Sequence, residues 1–287
     1  MRKIVWLASY PKSGNTWTRA IITSLKQESE SIDINALNTD GISSSRKWFD
    51  TSFLYKSTLF THDEIDNMRP DLYNDTANKV RRLLYVKTHD AQSKNQNNKL
   101  LFPDNATFGA VYIIRNPLDV AVSLSNHNSI TIDESVMSLC FPHAHLANAN
   151  RRLNDQLRQK MGTWSNHVDS WTHDMDTNKK LLVLRYEDLL YKPVESVTKL
   201  AKFTHLPHDL RSIEDAVKNT TFDTLKSQEQ SGAFKEKPAF ASSFFREGKS
   251  GSWHKHLTMT QARKLINAHR EVMERFAYVD SLGNPIY

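Results

Sequence analysis

The segment ASYPKSGNTW, residues 8–17, places a lysine, a glycine and several hydroxyl side chains directly after a mostly apolar run. A junction between a strand and a helix exposes free backbone N–H groups and the positive end of the helix dipole, so it attracts an anion. Gly14 would let the backbone approach that anion closely, and Lys12 would supply a positive charge. Ser13 and Thr16 would donate hydroxyl hydrogen bonds. The lysine of a Walker A loop follows the second glycine, whereas Lys12 precedes Gly14, so an ordinary ATP or GTP loop does not fit, and a simple turn with a solvated lysine is the alternative.

A second segment, YVKTHD at residues 85–90, ends another apolar run with Lys87 and His89 two positions apart. Residues with this spacing at the end of a strand project to the same side. A histidine can remove a proton from a hydroxyl, and an adjacent lysine can stabilise negative charge on a transferred or departing group. A loop histidine bonded to the backbone is the alternative interpretation of His89.

Two further segments bring together basic and hydroxyl side chains. In IIRNPLDVAVSLSNH, residues 113–127, Arg115 ends an apolar run and Ser123 lies two turns into the helical pattern that follows. An arginine fork suits a phosphate dianion, with a hydroxyl as second donor, although arginines also cap backbone carbonyls. In FFREGKSGSWHKHLT, residues 244–258, basic residues such as Arg246 alternate with glycines in a segment that could wrap around an anion or remain a solvated loop.

Four short apolar runs predict buried parallel strands that would position these segments: 4–10, 83–87, 110–115 and 180–185. Three of the runs lead into helical patterns, at 16–25, 117–124 and 194–203. This alternation predicts one α/β domain over residues 1–287, with a central parallel sheet of four to five strands flanked by helices. Ligands of such sheets bind at the carboxyl ends of the strands. The candidate side chains that fall at these ends are Lys12, Lys87, Arg115 and Tyr186.

The rest of the chain is predicted to be helical or connective. Residues 133–176 and about 260–276 have helical patterns, and residues 38–46 and 91–99 are predicted to be polar loops. Residues 227–243 are polar, contain glycine and proline, and could form a mobile lid.

Composition narrows the class of protein. The chain has 287 residues and a net charge of +6, which suits an anionic ligand, but it contains no lysine- and arginine-rich block that would predict a nucleic-acid partner. Cys140 is the only cysteine, so no intramolecular disulfide can form, and a small buried side chain is a better interpretation than a nucleophile. No run of eighteen apolar residues occurs and the charged start lacks a cleavage-site pattern, so we expect no membrane span and a cytoplasmic location.

Four of these segments, taken together with YED at residues 186–188, resemble the cytosolic-type sulfotransferase family. YPKSGNTW, KTH, RNPLDVAVS, YED and FFREGKSGSW occur in the order and approximate spacing of that family, from residue 4 to about residue 260. The resemblance, which points to a bacterial small-molecule or natural-product branch, implies a fold like that of P-loop nucleotide kinases. It also implies transfer of a sulfonate from 3′-phosphoadenosine 5′-phosphosulfate (PAPS) to a hydroxyl or amine of a small-molecule acceptor. Adenosine 3′,5′-bisphosphate (PAP) would be released, and no metal would be needed.

The resemblance implies a role for each matching residue. His89 would be the general base, and Lys12 and Lys87 would stabilise charge on the sulfonate and on the bridging oxygen of the departing nucleotide. Arg115 and Ser123 would bind the 3′-phosphate. The residues implied around the phosphosulfate and adenine on the first loop are Lys12, Ser13, Gly14, Asn15, Thr16 and Trp17. The remaining residues of the implied nucleotide pocket are Tyr186, Thr220, Phe222, Arg246, Glu247 and Gly248.

The chain departs from the family pattern at three places. Asn15 stands where the family more often has threonine, so a hydroxyl is lost while the backbone N–H remains. Glu247 stands where the family usually has lysine, and we expect it to face solvent, with Lys249 as the candidate to supply the lost charge. Many relatives dimerise through a KxxxTVxxxE segment, which here retains Thr258 but lacks both charged ends. Dimerisation by that route is therefore doubtful, and the sequence does not decide between a monomer and a dimer.

The acceptor is the least determined part of the prediction. Residues 61–75 contain five carboxylates and one arginine, which could favour a cationic acceptor such as a guanidinium alkaloid of the saxitoxin type. A solvated loop and helix face is the preferred interpretation of this segment. Lipid, phenol and glycopeptide acceptors also remain open.

Two other functions stay open on the residues alone. A kinase with a variant phosphate loop would need magnesium and an acidic ligand near Thr16. A non-catalytic module would bind the nucleotide without performing chemistry. The histidine pairs 143/145 and 254/256 lack nearby carboxylate or cysteine companions in the sequence, so no metal site is predicted.

Overall fold

A parallel sheet forms the centre of the molecule in a computed structural model that describes residues 2–27, 31–149, 154–173, 180–232, 234–238 and 241–286. The strands of the described residues are β1 (Ile4–Ser9), β2 (Leu84–Thr88), β3 (Thr107–Ile114), β4 (His145–Leu146), β5 (Gln159–Lys160) and β6 (Leu181–Arg185). Four of them form the central sheet in the order β2–β1–β3–β6, with every pairing parallel. β4 and β5 form a separate antiparallel pair.

The helices of the described residues are α1 (Asn15–Gln27), α2 (Arg46–Phe53), α3 (His62–Lys79), α4 (Pro117–Asn128), α5 (Ile132–Leu139), α6 (Trp164–Thr172), α7 (Tyr186–Tyr191), α8 (Pro193–Thr204), α9 (Leu210–Asn219), α10 (Phe222–Ser231) and α11 (Met259–Arg275). Short 3₁₀ helices occupy Ser57–Leu59 and Ser252–Lys255. The helices cover both faces of the sheet, as the alternating pattern predicts.

The middle strand shows why the sheet has two covered faces. All six residues of β1 are buried. Val5 and Leu7 pack in one apolar cluster with side chains of α1, α8 and α9, whereas Ile4 and Trp6 pack in another with side chains of α2 and α3. Because successive side chains of a strand point to opposite faces, a continuous apolar run is what a strand covered on both sides requires.

The predicted fold class is confirmed, and each predicted strand overlaps an observed one with a carboxyl end within one residue of the prediction. The prediction of a helical segment over 133–176 is wrong for its middle part. Cys140 ends α5, Pro142 follows it, and Gly162 has a φ of 66° just before α6. Among the described residues between α5 and α6, turns and the β4–β5 pair stand in place of the predicted helix. The first residues of the predicted loop 227–243 belong to α10.

Candidate active site

The first loop, residues 10–14, turns sharply between β1 and α1. Lys12 and Gly14 have positive φ angles of 67° and 104°, which L side chains rarely adopt. A Cβ atom on Gly14 would lie 2.9 Å from Cδ2 of Tyr186. Glycine is therefore required by its backbone conformation and by the close approach of this ring.

Asn15 holds the loop against the end of β1. Its Nδ2 donates hydrogen bonds to the carbonyl of Leu7, at 2.8 Å, and to Oγ of Ser9, at 3.2 Å. The side chain is buried. Asn15 therefore supplies a structural amide where the resemblance suggests a lost hydroxyl.

One cavity of about 570 Å³ collects almost all of the predicted side chains. Those that line it are Lys12, Gly14, Asn15, Thr16, Trp17, Lys87, His89, Arg115, Ser123, Tyr186, Phe222, Arg246, Glu247 and Gly248. Ser13 and Thr220 do not line it. Ser13 lies buried with its Oγ lacking any hydrogen-bond partner among the described residues. Thr220 donates its hydroxyl to the carbonyl of Ala216 at 2.7 Å, so its side chain supports the end of α9.

The hydrogen bonds of His89 determine its tautomer. Its Nδ1 lies 2.8 Å from the backbone carbonyl of Ser9. A carbonyl only accepts, so Nδ1 carries the proton and Nε2 is the unprotonated nitrogen. Burial, reinforced by the positive charge of Lys87, holds the pKa of His89 well below its usual value. The ring is therefore neutral near pH 7, in the state that can accept a proton.

Two further side chains, linked to each other, support the backbone of His89. Nε2 of His167 donates to the carbonyl of His89 at 3.0 Å, so Nδ1 of His167 is an acceptor. The hydroxyl of Tyr112, on β3, donates to that Nδ1 at 2.8 Å. The next residue, Asp90, forms an ion pair with Arg69 of α3 in which both side chains have no exposed surface, with Nη2 and Oδ2 2.6 Å apart. The KTHD segment is thus fixed by contacts from β3, α3 and α6.

Lys87 shares a carboxylate with two other cavity residues. Oε2 of Glu236 lies 3.3 Å from Nζ of Lys87 and accepts from Oγ1 of Thr16 at 3.3 Å. Oε1 of Glu236 lies 2.5 Å from Nη1 of Arg19. These positive charges and hydrogen bonds lower the pKa of Glu236 to about 2 although its burial alone would raise it. Burial has the opposite effect on the ammonium group of Lys87 and lowers its pKa.

Lys12 carries its ammonium group among other cations. Nζ lies 3.2 Å from Nδ1 of His127 and 4.0 Å from the centre of the Phe244 ring. Burial, then the charges of Lys87 and Arg115, lowers the pKa of Lys12 to about 7. A dianion in this cavity would remove that electrostatic penalty.

Arg115 connects the first loop to the last motif. Its Nη1 donates to the carbonyl of Lys12 at 3.1 Å and its Nη2 to the carbonyl of Lys249 at 3.2 Å. The guanidinium lies over the ring of Tyr186, 4.1 Å from the ring centre. Nε is buried without a hydrogen-bond partner among the described residues. Lys12 and Arg115 therefore open onto the same cavity and are joined by a direct contact.

Buried carboxylates tie the motifs to one another. Asp119 of α4 accepts hydrogen bonds from the backbone N–H groups of Gly251, at 2.8 Å, and Trp253, at 3.0 Å. Glu187 of α7 accepts from the N–H of Asn116 at 3.0 Å. The YED, RNP and GSW segments, which are far apart in the chain, thus form one framework around the cavity.

Glu247 faces the cavity as well as solvent, which corrects the prediction that it points away. Its Oε1 accepts from Nη1 of Arg246 at 2.7 Å, and Nε2 of His256 lies 3.5 Å from the same oxygen. Arg246 also donates to Oγ of Ser252 at 3.2 Å. The side chain of Lys249 is exposed and does not line the cavity. Arg246 is therefore the residue that partly neutralises Glu247 in the ligand-free protein.

Gly248 allows the last motif to contact the start of α10. Its φ is 63°, and an added Cβ would lie 2.2 Å from Cγ of Phe222. Only a residue without a side chain fits this position. The loop and the Phe222 ring together form one wall of the cavity.

The acidic segment 61–75 does not supply charge to the cavity, and none of its residues lines it. Asp63 and Asp66 form ion pairs with Arg158, and Asp66 also lies 3.2 Å from Nζ of Lys160. The other carboxylates lie near Lys79 or Lys99 or cap α3. The charge count that suggested a cationic acceptor therefore reflects surface and structural ion pairs.

Four important side chains were missed at the level of sequence: Arg19, His127, His167 and Glu236. Arg19 had a signal, because it follows Thr16 by three residues on the same helix and so shares its face. His127 ended a motif that was already identified. His167 and Glu236 had no local signal, since they reach their partners from distant parts of the chain.

A sulfotransferase domain profile matches residues 2–277. The chain belongs to the sulfotransferase family. Flavonol 3-sulfotransferase of Flaveria bidentis is 28% identical over 280 residues, which cover 91% of this chain and 78% of that enzyme. Cytosolic sulfotransferase 8 of Arabidopsis thaliana is 26% identical over 275 residues, which cover 90% of this chain and 73% of the relative. The crystal structure of mouse sulfotransferase SULT7A1 complexed with PAP superimposes with a TM-score of 0.60 at 20% identity, covering 98% of this chain and 86% of that one.

Membership of this family confirms the predicted resemblance. It excludes the alternative that the chain is a kinase with a variant phosphate loop. In the described part of the chain, His, Cys, Asp and Glu side chains form no group of three or more that could hold a metal ion. No described helix has the length and apolar character needed to cross a membrane.

Proposed function

We propose that this sulfotransferase transfers the sulfonate of PAPS to a hydroxyl of a small-molecule acceptor, with His89 as the general base, and that PAP is the product. The observation that carries the proposal is the shared cavity. It joins a neutral histidine and two lysines, which suit sulfonate transfer, to Arg115 and Ser123, which suit a 3′-phosphate. The relatives' names, and PAP in the mouse structure, support the same donor.

The residues present fit such a donor. Among the described residues, the cations that line the cavity are Lys12, Arg19, Lys87, Arg115, Lys235 and Arg246, and the carboxylates are Glu236 and Glu247. Nε of Arg115 is a buried donor without a partner among the described residues, as expected of a group whose partner is a ligand. Trp17, Tyr186 and Phe222 offer aromatic surfaces to an adenine ring.

The side chains have separate tasks in the proposed reaction. PAPS supplies the sulfonate group when bound. Nε2 of His89 accepts the hydroxyl proton of the acceptor, while the Nδ1–H bond to the Ser9 carbonyl keeps the ring in the required tautomer. Lys12 and Lys87 stabilise the negative charge that develops on the transferred group and the departing oxygen. This assignment relies on positioning and electrostatics, as in phosphoryl transfer.

The acceptor that best suits the cavity is neutral or anionic. Apolar side chains, among them Ile42, Leu146 and Phe244, line part of the wall. The excess of positive charge disfavours a cationic acceptor, and the ion pairs of α3 remove the basis for a guanidinium alkaloid of the saxitoxin type. An amine acceptor is possible only as the neutral free base. We propose a cytoplasmic location from the name of the Arabidopsis relative.

An acceptor screen with isotopically labelled PAPS, in which product mass is measured, tests the proposal. His89→Gln should abolish turnover and leave PAP affinity, measured by calorimetry, within about twofold. Turnover should survive EDTA. Unchanged turnover in the variant would contradict the role of the base, and loss of turnover on chelation would reveal a metal requirement. PAP binding with no product from any acceptor would favour the non-catalytic module.

A further inference from the structure

The side chain of Glu236 occupies the part of the cavity where the chain presents its anion donors. It contacts the hydroxyl of Thr16, the ammonium of Lys87 and the guanidinium of Arg19, at 3.3, 3.3 and 2.5 Å respectively. The proposed function assigns Lys87 to the transferred sulfonate, and the family resemblance implies that Thr16 lies beside the phosphosulfate. The three donors therefore bind this carboxylate in the way that they would bind the anionic group of a ligand.

The contacts are largely shielded from solvent. The side chains of Arg19 and Lys87 are 10% and 16% exposed, and that of Glu236 is 30% exposed. The carboxylate is ionised throughout the physiological range, because its neighbours lower its pKa to about 2. A second anion at the same donors would meet a like charge within a few ångströms and could bind fully only after the carboxylate had left.

The turn that carries Glu236 does not depend on these contacts. Phe234 is buried and packs on the rings of Phe244 and Phe245. The N–H of Lys235 donates to Oδ1 of Asn35 at 2.8 Å, and the N–H of Lys237 donates to the carbonyl of Phe234 at 3.0 Å. The backbone is thus anchored just before position 236 and closed by a hydrogen bond within the turn, so a change in the glutamate side chain can vacate the donors without unfolding the turn.

We propose that Glu236 is an internal competitor of the nucleotide: its carboxylate satisfies Arg19, Lys87 and Thr16 in the ligand-free protein and is displaced when the 5′-phosphosulfate or 5′-phosphate binds. The inference rests on the proposed function, because it assumes that these donors receive the 5′ group. The carboxylate lowers nucleotide affinity and keeps buried cations paired when no nucleotide is present. It should act only on ligands that carry a 5′ anion.

The test compares two ligands by calorimetry on the full chain and three proteins: the wild type, Glu236→Gln and Glu214→Gln. Glu214 is an exposed residue of α9 and controls for the loss of one negative charge. PAP carries both phosphates, whereas adenosine 3′-phosphate lacks the 5′ group. Glu236→Gln should bind PAP at least about tenfold more tightly than the wild type, and adenosine 3′-phosphate within about twofold. Glu214→Gln should match the wild type for both ligands.

Other outcomes separate the inference from the function on which it rests. Equal or weaker PAP binding by Glu236→Gln, with clear binding by the wild type, would overturn the inference and leave the proposed function standing. A similar gain for both ligands would also overturn it, because the effect would not involve the 5′ group. Failure of the wild type to bind PAP would overturn the proposed function, and the inference with it. Thermal unfolding of each protein without ligand verifies that the variants are folded.

Discussion

Nucleotide binding should draw a proton onto Lys12. In the ligand-free protein, burial and the charges of Lys87 and Arg115 lower the pKa of Lys12 from 10.5 to about 7, against the smaller opposing effects of Glu236 and Glu229. A phosphate dianion beside the ammonium favours the charged form and raises this pKa again. Lys12 is therefore mostly neutral at pH 8 before binding and charged afterwards.

The size of the uptake follows from the pKa. With a value of about 7, roughly a tenth of Lys12 is protonated at pH 8 and roughly nine tenths at pH 6. Lys12 alone should take up roughly 0.9 proton at pH 8 and roughly 0.1 at pH 6. Since the complex holds more protons than the free protein above pH 7, affinity for PAP should fall as the pH rises, by up to about tenfold per unit until the pKa of the complex is reached. His127, with a pKa lowered to about 4, is neutral throughout and does not contribute.

Calorimetry of PAP binding at pH 8 in buffers of different ionisation enthalpy measures this uptake directly, because the observed heat changes linearly with the buffer's enthalpy and the slope counts protons. Lys12→Met should reduce the slope by most of one proton, and Lys87→Met should reduce it in part, because loss of the Lys87 charge raises the pKa of Lys12 in the free protein. A wild-type slope near zero at pH 8, or a full slope in Lys12→Met, would refute the assignment of the proton to Lys12.

Three shorter predictions test the framework. Asp90→Asn leaves the buried Arg69 without its partner carboxylate and should lower the free energy of unfolding, measured by urea denaturation, by about 3–5 kcal/mol. A loss under about 1 kcal/mol would contradict the importance of this ion pair. Gly248→Ala forces a Cβ into the Phe222 ring and should weaken PAP binding by about tenfold. The double variant Gly248→Ala/Phe222→Ala should recover part of this loss. Unchanged affinity in Gly248→Ala would mean that this wall is not part of the site. Arg115→Ala should weaken PAPS more than adenosine 5′-phosphosulfate in competition assays, whereas equal losses would show that Arg115 does not contact the 3′-phosphate.

The sheet and most of the cavity could be predicted from the sequence because both depend on local patterns. A parallel strand covered on both faces must be apolar throughout, so its polar end marks both the end of the strand and the position of a possible ligand. Lys87 illustrates this, since it lies near the end of a strand whose preceding residues are buried. The motifs then fall together because parallel strands present their carboxyl ends along one edge.

The connection between α5 and α6 could have been predicted better. Pro142 and Gly162 are visible in the sequence, and both interrupt helices. The helical spacing of Trp164 and Trp171 is real, but it belongs to α6 alone. A periodic pattern therefore identifies a helix without defining how far it extends beyond the residues that carry the pattern.

The charge of the cavity is the feature that the sequence could not provide, and the reason is physical. Electrostatic energy depends on distance in space rather than along the chain. Arg158 neutralises Asp63 and Asp66, although it lies more than eighty residues downstream of them. Glu236 contacts Lys87 from 149 residues away. An acidic segment in the chain thus contributes nothing to the cavity, and a single glutamate in a predicted loop lies among its cations. Counting carboxylates along a segment shows where acidic residues occur in the sequence. Only the ion pairs of the folded protein determine whether those carboxylates interact with a bound acceptor or nucleotide. The choice of a neutral or anionic acceptor therefore follows from the ion pairs rather than from the net charge of +6.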